Sequence, residues 1–192
     1  MEVLQTSEKN MVSKKDIRKI ILARRSQMAT KEWAQKSHRI YESVITHPFF
    51  LESEEIYCYV DYRKEVETKK IIETAWKLGK KVAVPKVEAD EMSFYYIHSF
   101  DELEEGYRQI LEPISQEKAD GMQGLLFMPG VAFDSMRNRI GYGKGFYDAY
   151  CKKHLLQKRI ALGFELQLVE KIPAEPFDWK PDALIAEEKI YV

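Results

Sequence analysis

The stretch between Ile56 and Val84 constrains the fold most. Ile56-Tyr57-Cys58-Tyr59-Val60 is a short run of strand formers, and a polar loop follows over 61–67. A helix is predicted over 68–78 with Gly79 as its stop, and Val82-Ala83-Val84 reads as the next strand. Strand, helix and strand in such close succession point to a parallel α/β unit, because parallel neighbours need a crossover connection. Further strand runs are Phe94-Tyr95-Tyr96-Ile97, Leu125-Leu126-Phe127-Met128, Ile160-Ala161-Leu162-Gly163-Phe164 and Ala183-Leu184-Ile185-Ala186.

Upstream, Ser13-Lys14-Lys15-Asp16 reads as an N-cap with an acid three positions later. Ile17, Ile20, Ile21, Arg24 and Met28 then recur at helical spacing. A second helix over 30–46 is expected to bury Trp33, Ile40, Tyr41 and Val44 and to stop at His47-Pro48. Another is expected over 146–156. The expected class is therefore α/β, an open, mostly parallel sheet with helices on both faces. It forms one domain over 1–192, with 1–12 as a loose tail. In such sheets ligands bind at the carboxyl ends of strands, which singles out the loops after Val60, Val84, Met128 and Phe164.

Composition narrows the function classes. Lys plus Arg is 30 against 31 Asp plus Glu, a net charge of −1, which argues against a protein that coats nucleic acid or an anionic membrane. Hydrophobic residues make up 45%, enough for a packed core. The longest charge-free stretch, from Gly121 to Phe133, contains Pro129 and three glycines and is too short to span a bilayer. The opening Met1-Glu2-Val3-Leu4 lacks the basic and apolar regions of a secretory signal. Cys58 and Cys151 are the two cysteines and show no paired spacing. A reduced, cytoplasmic protein is expected.

The most unusual segment is Arg139-Ile140-Gly141-Tyr142-Gly143-Lys144-Gly145-Phe146-Tyr147-Asp148. Alternating glycines let successive backbone amides turn into one concavity and approach an anion without a Cβ in the way. A helix beginning at Gly145 adds its unpaired N–H groups, and Arg139 and Lys144 add full charges. The sum is a polyphosphate cradle, although alternating glycines alone also suit a hairpin or turn. It is not a P-loop, since Gly145 rather than Ser or Thr follows Lys144.

Asp148 suits Mg²⁺ bridging to bound phosphates, but local sequence alone favours a solvated acid in the first turn of a helix. Lys14 and Arg18, four apart, share a helix face and suit phosphate. The basic first helix also suggests a nucleic-acid patch, but residues 1–32 hold no aromatic to stack on bases. Glu65 and Glu67 sit in a loop after a strand, where binding residues cluster. The four histidines share no ligand spacing, Cys58 reads as core, and no Ser or Cys nucleophile is legible.

Met128-Pro129-Gly130-Val131-Ala132-Phe133-Asp134, followed by Asn138 and the glycine-rich run to Asp148, resembles the signature of the 5-formyltetrahydrofolate cyclo-ligase family almost position by position. Supporting matches are Lys14 with Arg18, Glu65-Val66-Glu67-Thr68, Val84-Pro85, Ile110-Leu111-Glu112-Pro113, and Gly163-Phe164 with Gln167. The resemblance implies a fold akin to the sugar-isomerase and CoA-transferase superfamily (a CoA transferase-like fold). It also implies ATP- and Mg²⁺-dependent conversion of 5-formyltetrahydrofolate to 5,10-methenyltetrahydrofolate with release of ADP and phosphate.

By position it implies ATP binding by Lys14, Arg18, Arg139, Gly141, Gly143, Lys144, Gly145 and Tyr147, with Arg139 and Lys144 catalytic. It implies folate contact by Val60 and Glu65, and Mg²⁺ binding by Asp148 and Asp178. The expected partners are small molecules, not nucleic acid or membrane, and the expected state is a monomer. Two positions depart from the family pattern. Phe177 precedes Asp178 where a His is common, and Lys86-Val87 follow Pro85 where an aromatic is expected.

Overall fold

A computed structural model describes residues 13–106, 109–154, 158–173, 175 and 178–192. The tail over 1–12, the end of the helix expected over 146–156, and Phe177 lie wholly or partly outside the described residues.

Helix α1 (Lys14–Gln27) begins as the capping pattern requires. The Ser13 hydroxyl accepts from the Asp16 N–H at 3.2 Å and donates to the Asp16 carboxylate at 2.6 Å. Its buried stripe is Ile17, Ile21 and Arg25, continued by Met28. The apolar reading gave that face to Ile20 and Arg24 as well, but Ile20 is exposed and Arg25 is buried. Helix α2 (Thr30–Ile45) buries Ile40 and Val44 fully and Trp33 and Tyr41 in part. Pro48 stops α2 and starts the short α3 (Pro48–Glu52), where its missing N–H leaves no helical bond unmade.

Strand β1 (Glu55–Tyr57) is shorter than the apolar run suggested. After a last bond from the Cys58 N–H to the Ala83 carbonyl, the Tyr59 carbonyl accepts from the Thr68 hydroxyl at 2.8 Å and the chain leaves the sheet. Helix α4 (Lys69–Lys77) follows, and Gly79, at φ 74°, closes it with its N–H on the Trp76 carbonyl. Strand β2 (Lys81–Glu88) turns through Ala89 and Asp90 into β3 (Glu91–Ile97).

A small pair, β4 (Leu103–Glu105) and β5 (Leu111–Pro113), precedes β6 (Leu125–Met128). A second pair, β7 (Ala132–Phe133) and β8 (Arg139–Ile140), leads into α5 (Phe146–Lys153). Strands β9 (Lys158–Leu162), β10 (Ala183–Ile185) and β11 (Ile190–Tyr191) complete the chain.

The main sheet has the order β11-β10-β9-β6-β1-β2-β3. The five strands from β10 to β2 are parallel, and only the edges β3 and β11 are antiparallel. Strand alternation divides the core in two. Ile56, Val82, Val84, Leu125, Phe127, Ile160 and Leu162 pack with α2 and α4. Tyr57, Ala83, Leu126, Met128, Ala161 and Leu184 pack with Tyr150 and Cys151 of α5 on the other face. The α/β class with helices on both faces is thus observed. Helix α1 packs instead through Ile17 and Ile21 on Val131, Ala132, Ile140 and Ile172, beside the loop that follows β6.

Candidate active site

From β1 the chain proceeds to β2 on one side of the sheet, while β6, β9 and β10 lie on the other. A crevice opens where the direction reverses, at the carboxyl ends of the strands. A cavity of about 1500 Å³ occupies it, walled by Tyr59 and Val60 after β1, Pro85 and Val87 in β2, and Pro129 after β6. Of the four loops singled out from sequence, those after Val60 and Met128 line it, while the residues after Val84 line it as a continuation of β2 rather than as a loop. The loop after β9 supports it instead: Gln167 donates to the carbonyls of Gly130 and Val131 at 2.8 and 2.9 Å.

The glycine-rich segment forms one side of the cavity. Arg139 and Ile140 belong to the β7–β8 hairpin, whose turn is built on the buried Asp134. That carboxylate accepts from the backbone of Met136, Asn138 and Ile172 and from the Asn138 amide. The glycines come after the hairpin, and Gly143 and Gly145 adopt φ 99° and 70°. Gly145 is the N-cap of α5, so the first turn of that helix faces the cavity through Phe146, Tyr147 and Asp148. Gly141 lies against Arg139, where a Cβ would stand 2.9 Å from Nη1.

Cations converge on this side from distant parts of the chain. The Arg18 Nε donates to the Gly141 carbonyl at 2.8 Å. Arg139 is buried, donating Nη1 to the Pro129 carbonyl at 3.2 Å and Nη2 to Asp148 Oδ1 at 3.0 Å. The same Asp148 oxygen accepts from the Trp179 N–H at 3.1 Å. Lys14 Nζ lies 2.6 Å from Asp178 and 2.8 Å from Glu175. Burial pulls its ammonium down, but its bonds to those two carboxylates outweigh that and raise it. Lys144 is exposed at the cavity rim.

Glu65 lies on the folded-back loop between β1 and α4. It is buried, its Oε2 accepts from the Tyr62 N–H at 3.0 Å, and its Oε1 accepts from the Tyr142 hydroxyl at 2.5 Å. Burial raises its carboxyl to about 6, against the pull of the Tyr142 hydrogen bond and the Arg25 charge. An acid in a polar loop ordinarily faces solvent, and this one is buried. Arg25 and Tyr142 were missed as site residues. The signal for Tyr142 was present, since it stands between Gly141 and Gly143 of the cradle.

Lys14, Arg18, Val60, Glu65, Arg139, Gly141, Gly143, Lys144, Gly145, Tyr147, Asp148 and Asp178 all line the one cavity. Residues 10–187 match the 5-formyltetrahydrofolate cyclo-ligase family. The chain belongs to this family. The mouse 5-formyltetrahydrofolate cyclo-ligase is 28% identical, over 92% of this chain and 94% of its own. The probable 5-formyltetrahydrofolate cyclo-ligase of Schizosaccharomyces pombe is 30% identical, over 93% and 97%. The solved structure of the 5,10-methenyltetrahydrofolate synthetase of Aquifex aeolicus superposes with a TM-score of 0.83 at 28% identity, covering 92% of this chain and 91% of that one.

Among the described residues no cluster of three or more His, Cys, Asp or Glu side chains is arranged to hold a metal alone. A cyclo-ligase using Mg²⁺ with a nucleotide needs less, because one or two carboxylates and the phosphates complete the shell. Asp148 and Asp178 fit that role. Each takes its described hydrogen bonds through one oxygen, Oδ1 of Asp148 and Oδ2 of Asp178.

Where the family pattern expects an aromatic after Pro85, Val87 and Met92 line the wall. Val87 is set by its N–H bond to the buried Glu112 at 3.2 Å.

Proposed function

We propose that this chain converts 5-formyltetrahydrofolate to 5,10-methenyltetrahydrofolate at the expense of ATP, releasing ADP and phosphate. The observation that carries this reading is the two-sided cavity. One side presents the glycine-rich loop with Lys14, Arg18, Arg139 and Lys144, the other an apolar wall of Pro85, Val87 and Met92, and Glu65 also lines the cavity. A polyphosphate suits the first and a flat heterocycle the second.

A formamide carbonyl is a poor electrophile because its nitrogen lone pair is delocalised into it. Transfer of the γ-phosphoryl to the formyl oxygen breaks the bond to ADP and leaves a cationic iminium phosphate. The folate N10 then attacks the formyl carbon and gives up its proton, and cleavage of the carbon–oxygen bond releases phosphate. Every nucleophile is a substrate atom, so the protein's task is positioning and charge stabilisation. Arg139 and Lys144 stabilise the transferring phosphoryl group, and Gly141, Gly143, Gly145 and Tyr147 shape its seat. Lys14 and Arg18 bring α1 onto the phosphates. The Glu65 carboxylate favours the positive charge that develops on the iminium, and Val60 packs on the folate. Mg²⁺ held by Asp148 and Asp178 would neutralise phosphate charge.

The chain works as a single domain and a monomer. Its two buried, free cysteines suit a reducing cytoplasm. Among the described residues no helix is long and apolar enough to cross a membrane. The test is stoichiometry: ADP release must depend on 5-formyltetrahydrofolate and match methenyltetrahydrofolate formed one to one. ADP release without the folate, or with another acceptor only, overturns the reading.

A further inference from the structure

Arg25 is 1% exposed, on the helix face it shares with Ile17 and Ile21. A buried guanidinium needs acceptors, since an uncompensated charge in the interior is costly. Its described partners are the Gly130 carbonyl at 3.4 Å and the Tyr142 hydroxyl at 2.5 Å. A guanidinium can only donate. The Tyr142 oxygen is therefore used as an acceptor, and its proton is directed to Glu65 Oε1 at 2.5 Å. The Tyr62 N–H fixes the other carboxylate oxygen. One phenol thus joins α1, the glycine-rich loop and the loop that carries Glu65. That last loop is already pinned to the end of α1 and to α2. Lys64 donates to the carbonyls of Ser26 and Met28, and the Trp33 Nε1 donates to the Glu65 carbonyl.

We propose that Tyr142, oriented by Arg25, is a positioning residue that holds the Glu65 carboxylate toward the folate side of the cavity. The proposal rests on the reading of Glu65 as the acid that faces the folate. The Tyr142 hydrogen bond favours the ionised acid, so removing it makes Glu65 harder to ionise. The groups facing Glu65 are Arg25 from α1, Tyr142 from the glycine-rich loop, Asp61 on its own loop, Tyr59 after β1 and Tyr147 of α5. The three phenols stay neutral in the working range, because burial raises them.

The test is the Tyr142→Phe variant, which keeps the ring and removes the hydroxyl. Two quantities are read against pH from 5 to 9: the ¹³C carboxyl shift of Glu65, assigned by its loss in Glu65→Gln, and kcat/KM for 5-formyltetrahydrofolate. The expected result is a Glu65 midpoint raised by about one pH unit, with the acid limb of kcat/KM moving by the same amount. That is about a fivefold loss at pH 6, approaching tenfold at pH 5. The KM for ATP stays within about twofold of wild type. In the Glu65→Gln background, Tyr142→Phe changes kcat/KM by less than about twofold, since the partner is gone.

An unmoved midpoint and an unmoved limb in a folded Tyr142→Phe protein overturn the proposal. So does a change confined to the KM for ATP. A wild type that turns over no 5-formyltetrahydrofolate overturns the proposed activity, and with it any role of Tyr142 toward folate. The carboxyl titration then still reports on the contact itself.

Discussion

Arg139 and Asp148, nine positions apart at the two ends of the glycine-rich segment, are joined by a bond of 3.0 Å from Nη2 to Oδ1. The Arg139 side chain is 4% exposed, so this pair sets the geometry of the cradle from beneath. It holds a cation and a carboxylate side by side where phosphates are proposed to sit. Arg139→Ala removes a charge-assisted contact of about 1.5–3 kcal/mol, equivalent to roughly 10- to 150-fold in kcat/KM for ATP. Arg139→Lys is expected to recover little, because a point charge cannot reach Pro129 and Asp148 together. Steady-state kinetics on variants with a wild-type unfolding transition decide it, and unchanged kinetics remove Arg139 from the chemistry.

Arg18 makes a different kind of contact. Its Nε holds the Gly141 carbonyl, docking α1 on the loop rather than on the folate wall. Arg18→Ala is expected to raise the KM for ATP by about tenfold, the loss of one hydrogen bond from a charged group. The KM for 5-formyltetrahydrofolate should change by less than about twofold. Equal effects on both would mean that α1 serves the whole cavity.

Metal dependence should follow the two carboxylates. Chelation is expected to abolish turnover, and added Mg²⁺ to restore it. Asp178→Asn should raise the Mg²⁺ needed for half-maximal rate, because a neutral amide binds a hard cation less well than a carboxylate. An unchanged Mg²⁺ titration in that variant would take Asp178 out of the metal site.

The pH profile has a fixed sign. Burial raises the Glu65 carboxyl to about 6, so the ionised form is lost as pH falls through that value. If the ionised acid is the working form, kcat/KM for the folate is flat above about pH 7 and falls about tenfold by pH 5. Glu65→Gln should lower the plateau and flatten the limb. A limb that survives in Glu65→Gln belongs to another group.

The ring of the buried Phe133 lies between two glycines. A Cβ on Gly130 would stand 2.3 Å from its Cζ, and one on Gly163 would stand 2.4 Å from its Cε2. Gly163→Ala is therefore expected to destabilise by about 1–3 kcal/mol through overpacking. Denaturant unfolding measures it, and an unchanged midpoint would mean that the ring moves aside freely.

Much of this was legible in the chain because it depends on local pattern. The two faces of the sheet follow from alternation in runs such as Leu125-Leu126-Phe127-Met128, and α1 begins where Ser13 and Asp16 say it should. Gly141, Gly143 and Gly145 marked a loop that opens a helix, and the segment does lie between hairpin and helix, with Gly143 and Gly145 at positive φ.

What was hidden depends on residues far apart. Arg25 is buried because Tyr142, 117 positions away, accepts its hydrogen bond. Hydropathy alone placed Ile20 in the interior instead. Pro85 looked like the end of a strand, yet β2 runs on to Glu88. Pairing with β1 stops at Ala83, and beyond that point the missing N–H breaks no ladder on that side. The antiparallel β3 follows from the two residues between Glu88 and Glu91, too few for a crossover.

The most direct test of the central claim is the absorbance of 5,10-methenyltetrahydrofolate in a mixture of the purified protein, 5-formyltetrahydrofolate, ATP and Mg²⁺. The account predicts a rise that requires all three additions and is lost in Arg139→Ala. A flat trace from folded protein that binds ATP would contradict it.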